Sequence, residues 1–194
     1  MILRCRCAPL LPAEDCAGLL GTSEGPRAAR LMKLRGNARR QSLTAEALCR
    51  ELYALFPAPK APFRLDDGLY GRPMLVESPL FPSLSHSGEW AAAAIGDVPV
   101  GVDIQLCRPL SPRVRGRIFS PEEQDWAGDD VERGMRLWTM KEAHGKMLGV
   151  GIIGSAPFFA SLRKGEIRRS YGDCVFFFPE APEGYLLTLC AAKK

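Results

Sequence analysis

The chain has 194 residues, 46% apolar and 25% charged, with a formal net charge of +4; that is room for one substantial core or two small lobes, and it is neither a disordered nor a fibrous composition. The positive excess is too mild for a protein that coats nucleic acid, and its local segments, Arg27 to Arg40 and Arg113 to Arg117, suit phosphate ligands or an acidic protein partner. The first residues make a poor signal peptide and no apolar run is long enough to cross a bilayer, so a cytoplasmic location without membrane or nucleic-acid partners is expected.

Residues 1–10 read as an edge strand, followed by a loop-rich stretch punctuated by Pro12, Gly18, Gly21 and Gly25-Pro26. From Arg27 to Leu55 the apolar residues Leu31, Leu34, Leu43, Ala47, Leu48, Leu52 and Leu55 fall at helical spacing. Gly36-Asn37 splits them into two helices, the second beginning near Asn37. Pro57 to Pro82, which includes Tyr70-Gly71-Arg72-Pro73, is expected to wrap without regular structure. Glu89 to Ile95 and Val98 to Leu106 read as a hairpin turning at Gly96-Asp97. That pairing would return Asp103 to Arg108 to the side of Ser85-His86-Ser87. Along the second strand Val100, Val102 and Ile104 share one face and Gly101, Asp103 and Gln105 the other.

Ser120-Pro121-Glu122-Glu123 starts a helix, with serine as N-cap, proline at the first helical position and glutamate completing a capping box. A second helix covers Val131 to Leu148 and ends at Gly149-Val150-Gly151. Strand character resumes at Ser161 to Ile167, Asp173 to Phe178 and Tyr185 to Ala191. The alternation of helices and antiparallel strands predicts an α+β protein of two lobes, residues 1–97 and 98–194.

Moving a phosphorylated group calls for a cation on the phosphate oxygens, and magnesium prefers one or two carboxylates plus phosphate and water. Asp103 and Glu142 are the natural pair, although a strand-end aspartate in a turn and a glutamate paired with Lys146 one helical turn on are ordinary structural roles. Lys141 and Lys146 flank Glu142, and Lys146 is the better phosphate candidate because Lys141 faces about a right angle away. Trp138 is a core anchor. His86, set among Ser85, Ser87 and Gly88, can donate to a phosphate or carry a proton. Glu123 serves as a cap or stands beside the metal. Arg27, Arg30, Lys33, Arg35, Arg39 and Arg40 form either a solvated helix face or an anion clamp. No nucleophile elbow, Walker loop or zinc-knuckle spacing is present. The seven cysteines lack a paired framework and read as reduced thiols.

Gly71-Arg72-Pro73, Ser83-Leu84-Ser85-His86-Ser87, Gly101-Val102-Asp103-Ile104-Gln105, Phe119 with Glu123, and Trp138 to Lys146 stand in one order and spacing. In these segments, spanning more than a third of its length, the chain resembles the Sfp-type 4′-phosphopantetheinyl transferases. The resemblance implies the family fold: two pseudosymmetric lobes, each a small, mostly antiparallel sheet packed with helices, in a monomer. It implies coenzyme A and Mg2+, or Mn2+, in the cleft between the lobes. Asp103, Gln105 and Glu142 would hold the metal, and Glu142, Lys146 and His86 would be catalytic. Lys141, Lys146 and His86 would meet the pyrophosphate, Arg72 and Ser85 would line the coenzyme A pocket, and Arg27 and Arg40 would meet its 3′-phosphate. Gln105 departs from many relatives, which carry an acid there, and a neutral amide binds an ion more weakly or through water. The implied partner is an acyl or peptidyl carrier protein of fatty acid, polyketide or nonribosomal peptide biosynthesis, attracted by Arg113-Val114-Arg115-Gly116-Arg117. A metal-dependent phosphoester hydrolase and a non-catalytic coenzyme A-binding module are the alternatives.

Overall fold

The computed structural model describes residues 1–20, 25–57, 61–68, 71–155 and 161–194; Gly21, Tyr70 and parts of the Pro57 to Pro82 stretch lie outside them. The first half runs β1 (Leu3–Pro9), α1 (Ala13–Leu20), α2 (Gly25–Lys33), α3 (Gly36–Ala54), β2 (Leu65–Asp67), β3 (Pro73–Leu75), β4 (Phe81–Ser87) and β5 (Trp90–Gly96). The second runs β6 (Val100–Leu106), α4 (Pro112–Ile118), α5 (Pro121–Ala127), α6 (Val131–Leu148), α7 (Gly151–Ser155), β7 (Leu162–Arg163), β8 (Glu166–Ile167), β9 (Ser170–Tyr171), β10 (Cys174–Phe177) and β11 (Tyr185–Ala192). The architecture is α+β. The two larger sheets are ordered β1-β5-β4 and β6-β11-β10-β9, so in both the last strand lies between the first and the last but one.

Strand β5 joins the halves because its residues are small and its two faces differ. Ala91, Ala93 and Ile95 pack with Leu48, Cys49, Leu52 and Tyr53 of α3, while Ala92 and Ala94 meet Val100, Val102 and Ile104 of β6 and Leu187 and Leu189 of β11. This realises the two-face reading of β6. On the other face of β6 a side chain on Gly101 would run into the backbone at Ala143 and Met147. Glycine there lets α6 lie directly against the strand, which brings Glu142 and Lys146 beside Asp103.

The helices at 25–33, 36–54 and 131–148, the capping box of Ser120 and Glu123 and the left-handed Gly149 at the end of α6 agree with the sequence reading. Three features do not. The Gly96-Asp97 hairpin does not form: β5 pairs with β1 and β4, and β6 pairs with β11. Asp97 is tied instead to the amino terminus, its N–H donating to Ile2 O at 3.1 Å and its Oδ1 accepting from Ile2 N at 2.8 Å. The true hairpin is β4–β5, turned at Gly88-Glu89. Residues 13–20 are helical, because Pro12 precedes the first turn, Glu14 and Asp15 favour its N-terminal end, and Cys16 and Leu19 pack with Leu31 and Leu43. Within Pro57 to Pro82, β2 and β3 pair, and their Leu65 and Leu75 are buried against the α3 core. The arginine segment at 113–117 is helical, capped by Ser111 Oγ accepting from Val114 N at 3.3 Å.

All seven cysteines are free thiols, and burial pushes Cys5 and Cys49 up to about 12, which keeps them protonated. Among the described residues no helix is long and apolar enough to cross a membrane.

Candidate active site

Strands β4 and β6 lie side by side and run in the same direction, yet belong to different sheets. Serine side chains connect them. Ser83, Ser85 and Ser87 alternate with Leu84 and His86, and their hydroxyls accept the N–H groups of Val102 at 3.0 Å, Ile104 at 3.2 Å and Leu106 at 3.1 Å. The approach of Ser85 to Asp103 expected from the sequence is therefore real, although this seam produces it and the hairpin does not. The signal for Ser83 and Ser87 was their period-two spacing, which marks one strand face.

Asp103 is buried. Its Oδ1 accepts from Lys146 Nζ at 2.7 Å, Ser85 Oγ at 2.8 Å and Gln105 Nε2 at 3.4 Å. Lys146 Nζ also donates to Ser85 Oγ and Val102 O, both at 3.0 Å. Oδ2 of Asp103 is buried with no hydrogen-bond partner among the described residues, an arrangement whose cost a cation removes. Glu142, one helical turn before Lys146, holds its proton above the usual carboxylate range because it is desolvated and faces the charge of Asp103, which Lys146 only partly offsets. Asp103, Gln105, Glu142 and Lys146 line a cavity of about 300 Å3, together with Arg27, Arg30, Ser85 and His86.

These donors fit a magnesium-type ion: two carboxylates, one with an orphaned oxygen, and an amide, with phosphate and water to complete the shell. Among the described residues no cluster of three or more histidine, cysteine, aspartate or glutamate side chains is placed to hold a metal ion. The glutamine at 105 is why the acidic set stops at two.

Two expected ligand contacts are corrected. Lys141 is directed away from the cavity: its Nζ lies 3.0 Å from Glu123 Oε2, with both side chains 1% exposed. Glu123 also completes its capping box and accepts Ser161 N at 2.8 Å, so the cap reading stands and Glu123 is no metal ligand. Arg40 is not among the described residues that line the cavity. It donates to Leu11 O at 2.9 Å and Asn37 Oδ1 at 3.0 Å.

Arg27 does reach the cavity wall, buried and ion-paired with Glu46 at 2.8 Å and Asp67 at 2.5 Å. Arg30 joins it, 2.7 Å from Asp67. Its spacing of one helical turn from Arg27 was the sequence signal for a shared face. Arg72 lines an adjoining cavity of about 210 Å3 that shares Gly71, Pro73, Leu84 and Lys146 with the first. Trp138 packs in the core with Ile118, Phe119 and Leu137.

Although His86 remains exposed at the cavity wall, partial desolvation there, then the charge of Lys146, hold its imidazole below the usual range against the pull of Asp103. A histidine whose folded pKa lies below its unfolded value favours the unfolded chain when protonated, so its contribution falls as pH drops below about 6.5. With two histidines in the chain, NMR titration should show the His86 midpoint below that value, and Lys146→Met should move it upward. An unshifted midpoint in both proteins would contradict this electrostatic picture.

The family model for the 4′-phosphopantetheinyl transferase superfamily matches residues 99–190, the stretch that holds Asp103, Gln105, Glu142 and Lys146. The chain is similar to the 4′-phosphopantetheinyl transferase psf-1 of Bacillus pumilus, 34% identical over 170 residues that cover 79% of this chain and 72% of that one. It is also similar to the 4′-phosphopantetheinyl transferase Sfp of Bacillus subtilis strain 168, 31% identical over 147 residues, 69% of this chain and 65% of that one. The 4′-phosphopantetheinyl transferase gsp of Aneurinibacillus migulanus is 26% identical over 162 residues, 78% of this chain and 68% of that one.

Proposed function

Since the chain belongs to the 4′-phosphopantetheinyl transferase superfamily, we propose that it moves the 4′-phosphopantetheine group of coenzyme A onto a serine of an apo acyl or peptidyl carrier protein, with release of adenosine 3′,5′-bisphosphate. The observation that supports this most is the orphaned Oδ2 of Asp103 beside Glu142, in a cavity walled by Lys146, Arg27 and Arg30. Asp103, Glu142 and the Gln105 amide would hold Mg2+ or Mn2+. When bound, that ion supplies positive charge to the diphosphate oxygens as the phosphorus–oxygen bond breaks.

The remaining work falls to side chains. Lys146 directs its ammonium to the diphosphate, and His86, neutral at pH 7, hydrogen-bonds a phosphate oxygen. Glu142, whose surroundings raise its proton affinity, takes the proton of the carrier serine. The serine Oγ forms a bond to the β-phosphorus as the bond from that phosphorus to the bridging oxygen breaks, and the bisphosphate leaves with its charge held by Lys146. Arg27 and Arg30, in place of Arg40, meet the 3′-phosphate. Arg72 and Ser85 border the remainder of coenzyme A. In this reading residues 1–97 supply the arginines and His86, residues 98–194 supply the metal ligands, and the protein works as a cytoplasmic monomer for fatty acid, polyketide or nonribosomal peptide carriers.

Arg113 and Arg117 are exposed on α4, whereas Arg115 is committed to Gly128 O at 2.6 Å. The double change Arg113→Glu/Arg117→Glu should lower kcat/KM for an acidic carrier by about tenfold at low salt and leave the KM for coenzyme A unchanged. No loss of carrier kcat/KM would remove α4 from the docking surface.

Mass spectrometry of apo carrier proteins incubated with the enzyme, coenzyme A and Mg2+ tests the reaction itself. The expected result is one phosphopantetheine added to a serine. Release of bisphosphate without any carrier would identify a hydrolase, and binding with neither reaction would identify a binding module.

A further inference from the structure

Ser83 is buried and makes no hydrogen bond to Asp103 or Lys146 among the described residues, yet it holds the residue that lies between them and the first half of the molecule. Its Oγ accepts the N–H of Val102 at 3.0 Å, and the carbonyl of Val102 accepts Lys146 Nζ at 3.0 Å. The same ammonium reaches Asp103 Oδ1 at 2.7 Å. The backbone of Val102 is thus held at its N–H by the first half of the molecule and at its carbonyl by the lysine that faces the cavity.

We propose that Ser83 is a positioning residue that fixes Lys146 through Val102; the proposal rests on the reading that Lys146 meets a diphosphate. In a backbone ladder no single side chain decides the spacing of two strands. Here β4 and β6 are joined through hydroxyls, so removal of one hydroxyl frees its point of attachment and leaves a buried N–H without an acceptor. Ser87 supplies an internal control. It makes the same kind of bond, to Leu106 N at 3.1 Å, but Leu106 lies beyond Asp103 and, among the described residues, has no hydrogen bond to Lys146.

The test compares Ser83→Ala, Ser87→Ala and Ser83→Thr with the wild type, well below all melting temperatures, for affinity to inorganic diphosphate with Mg2+ by calorimetry and for kcat with an apo carrier. Ser83→Ala should weaken diphosphate binding and lower kcat, each by about tenfold, because a small displacement of a charge-bearing group is costly. Ser87→Ala should stay within about twofold, and the hydroxyl of Ser83→Thr should restore both quantities. Equal losses in Ser83→Ala and Ser87→Ala, or none in Ser83→Ala, would overturn the proposal. A wild type that binds diphosphate but modifies no carrier would sink the transferase reading alone, and the serine comparison would still be decided on diphosphate affinity.

Discussion

Glu142→Gln abolishes carrier modification, lowering kcat by about a thousandfold or more, and leaves the fold as stable as before or more so. The first half follows from the loss of a carboxylate that serves both ion and proton in the proposed mechanism, each of which is worth orders of magnitude in rate. The second follows from its surroundings. Burial and the charge of Asp103 raise the Glu142 pKa above its ordinary value, so the folded protein binds that proton more tightly than the unfolded chain does. At neutral pH the ionised side chain therefore opposes folding, and an uncharged isostere relieves that opposition. Asp103→Ala should cost activity to a similar extent but also stability, because it strips Lys146 of its closest acceptor at 2.7 Å. A Glu142→Gln protein that retains a tenth of the wild-type kcat would refute the assigned role. Calorimetric melting of the same sample separates loss of chemistry from loss of fold.

Lys141→Met unfolds the protein at a markedly lower temperature, by roughly 6–20 °C, in keeping with about 3–5 kcal/mol for a buried charge left without its partner. The counter-charge is Glu123 at 3.0 Å, both groups being 1% exposed. Burial lowers the ammonium's pKa and Glu123 works against that. In the double variant Glu123→Gln/Lys141→Met no lone charge remains, although the single glutamine oxygen can accept from only one of Ser120 N and Ser161 N, which Glu123 serves through Oε2 and Oε1. It should recover part of the lost stability. Thermal melts of both variants check this, with a coenzyme A titration alongside. A phosphate-binding role for Lys141 makes the opposite forecast: an unchanged melting temperature and a weakened affinity for coenzyme A.

Lys141 and Lys146 illustrate how far local pattern carries. Helical periodicity sets Lys146 on the same face as Glu142 and turns Lys141 about a right angle away, and the structure agrees. What occupies the space that Lys141 enters is a tertiary matter, settled by α5 and Ser161. The extent of α6 and the capping box of α5 were legible because helix start and stop signals are local. The β5–β6 hairpin was misread because alternation identifies strands without saying which edges pair; only the fold reveals that β11 claims β6 and that Asp97 is bound to Ile2. The α1 helix was obscured by Pro12 and Gly18, whose usual breaker role is outweighed by the contacts of Cys16 and Leu19 with Leu31 and Leu43. Arg30 and Arg40 both sat in one basic run. Choosing between them required knowing that Arg40 reaches Leu11 O and that the chain at Asp67 folds back onto α2.

The central claim is that Asp103 and Glu142 grip one divalent ion that carries a diphosphate, and anomalous diffraction from crystals grown with Mn2+ and coenzyme A tests it most directly. The account predicts a single strong peak in coordination contact with Asp103 Oδ2, the Glu142 carboxylate and the diphosphate oxygens. A diphosphate bound beside Lys146 with the metal absent from those two carboxylates, or held by only one of them, would contradict it.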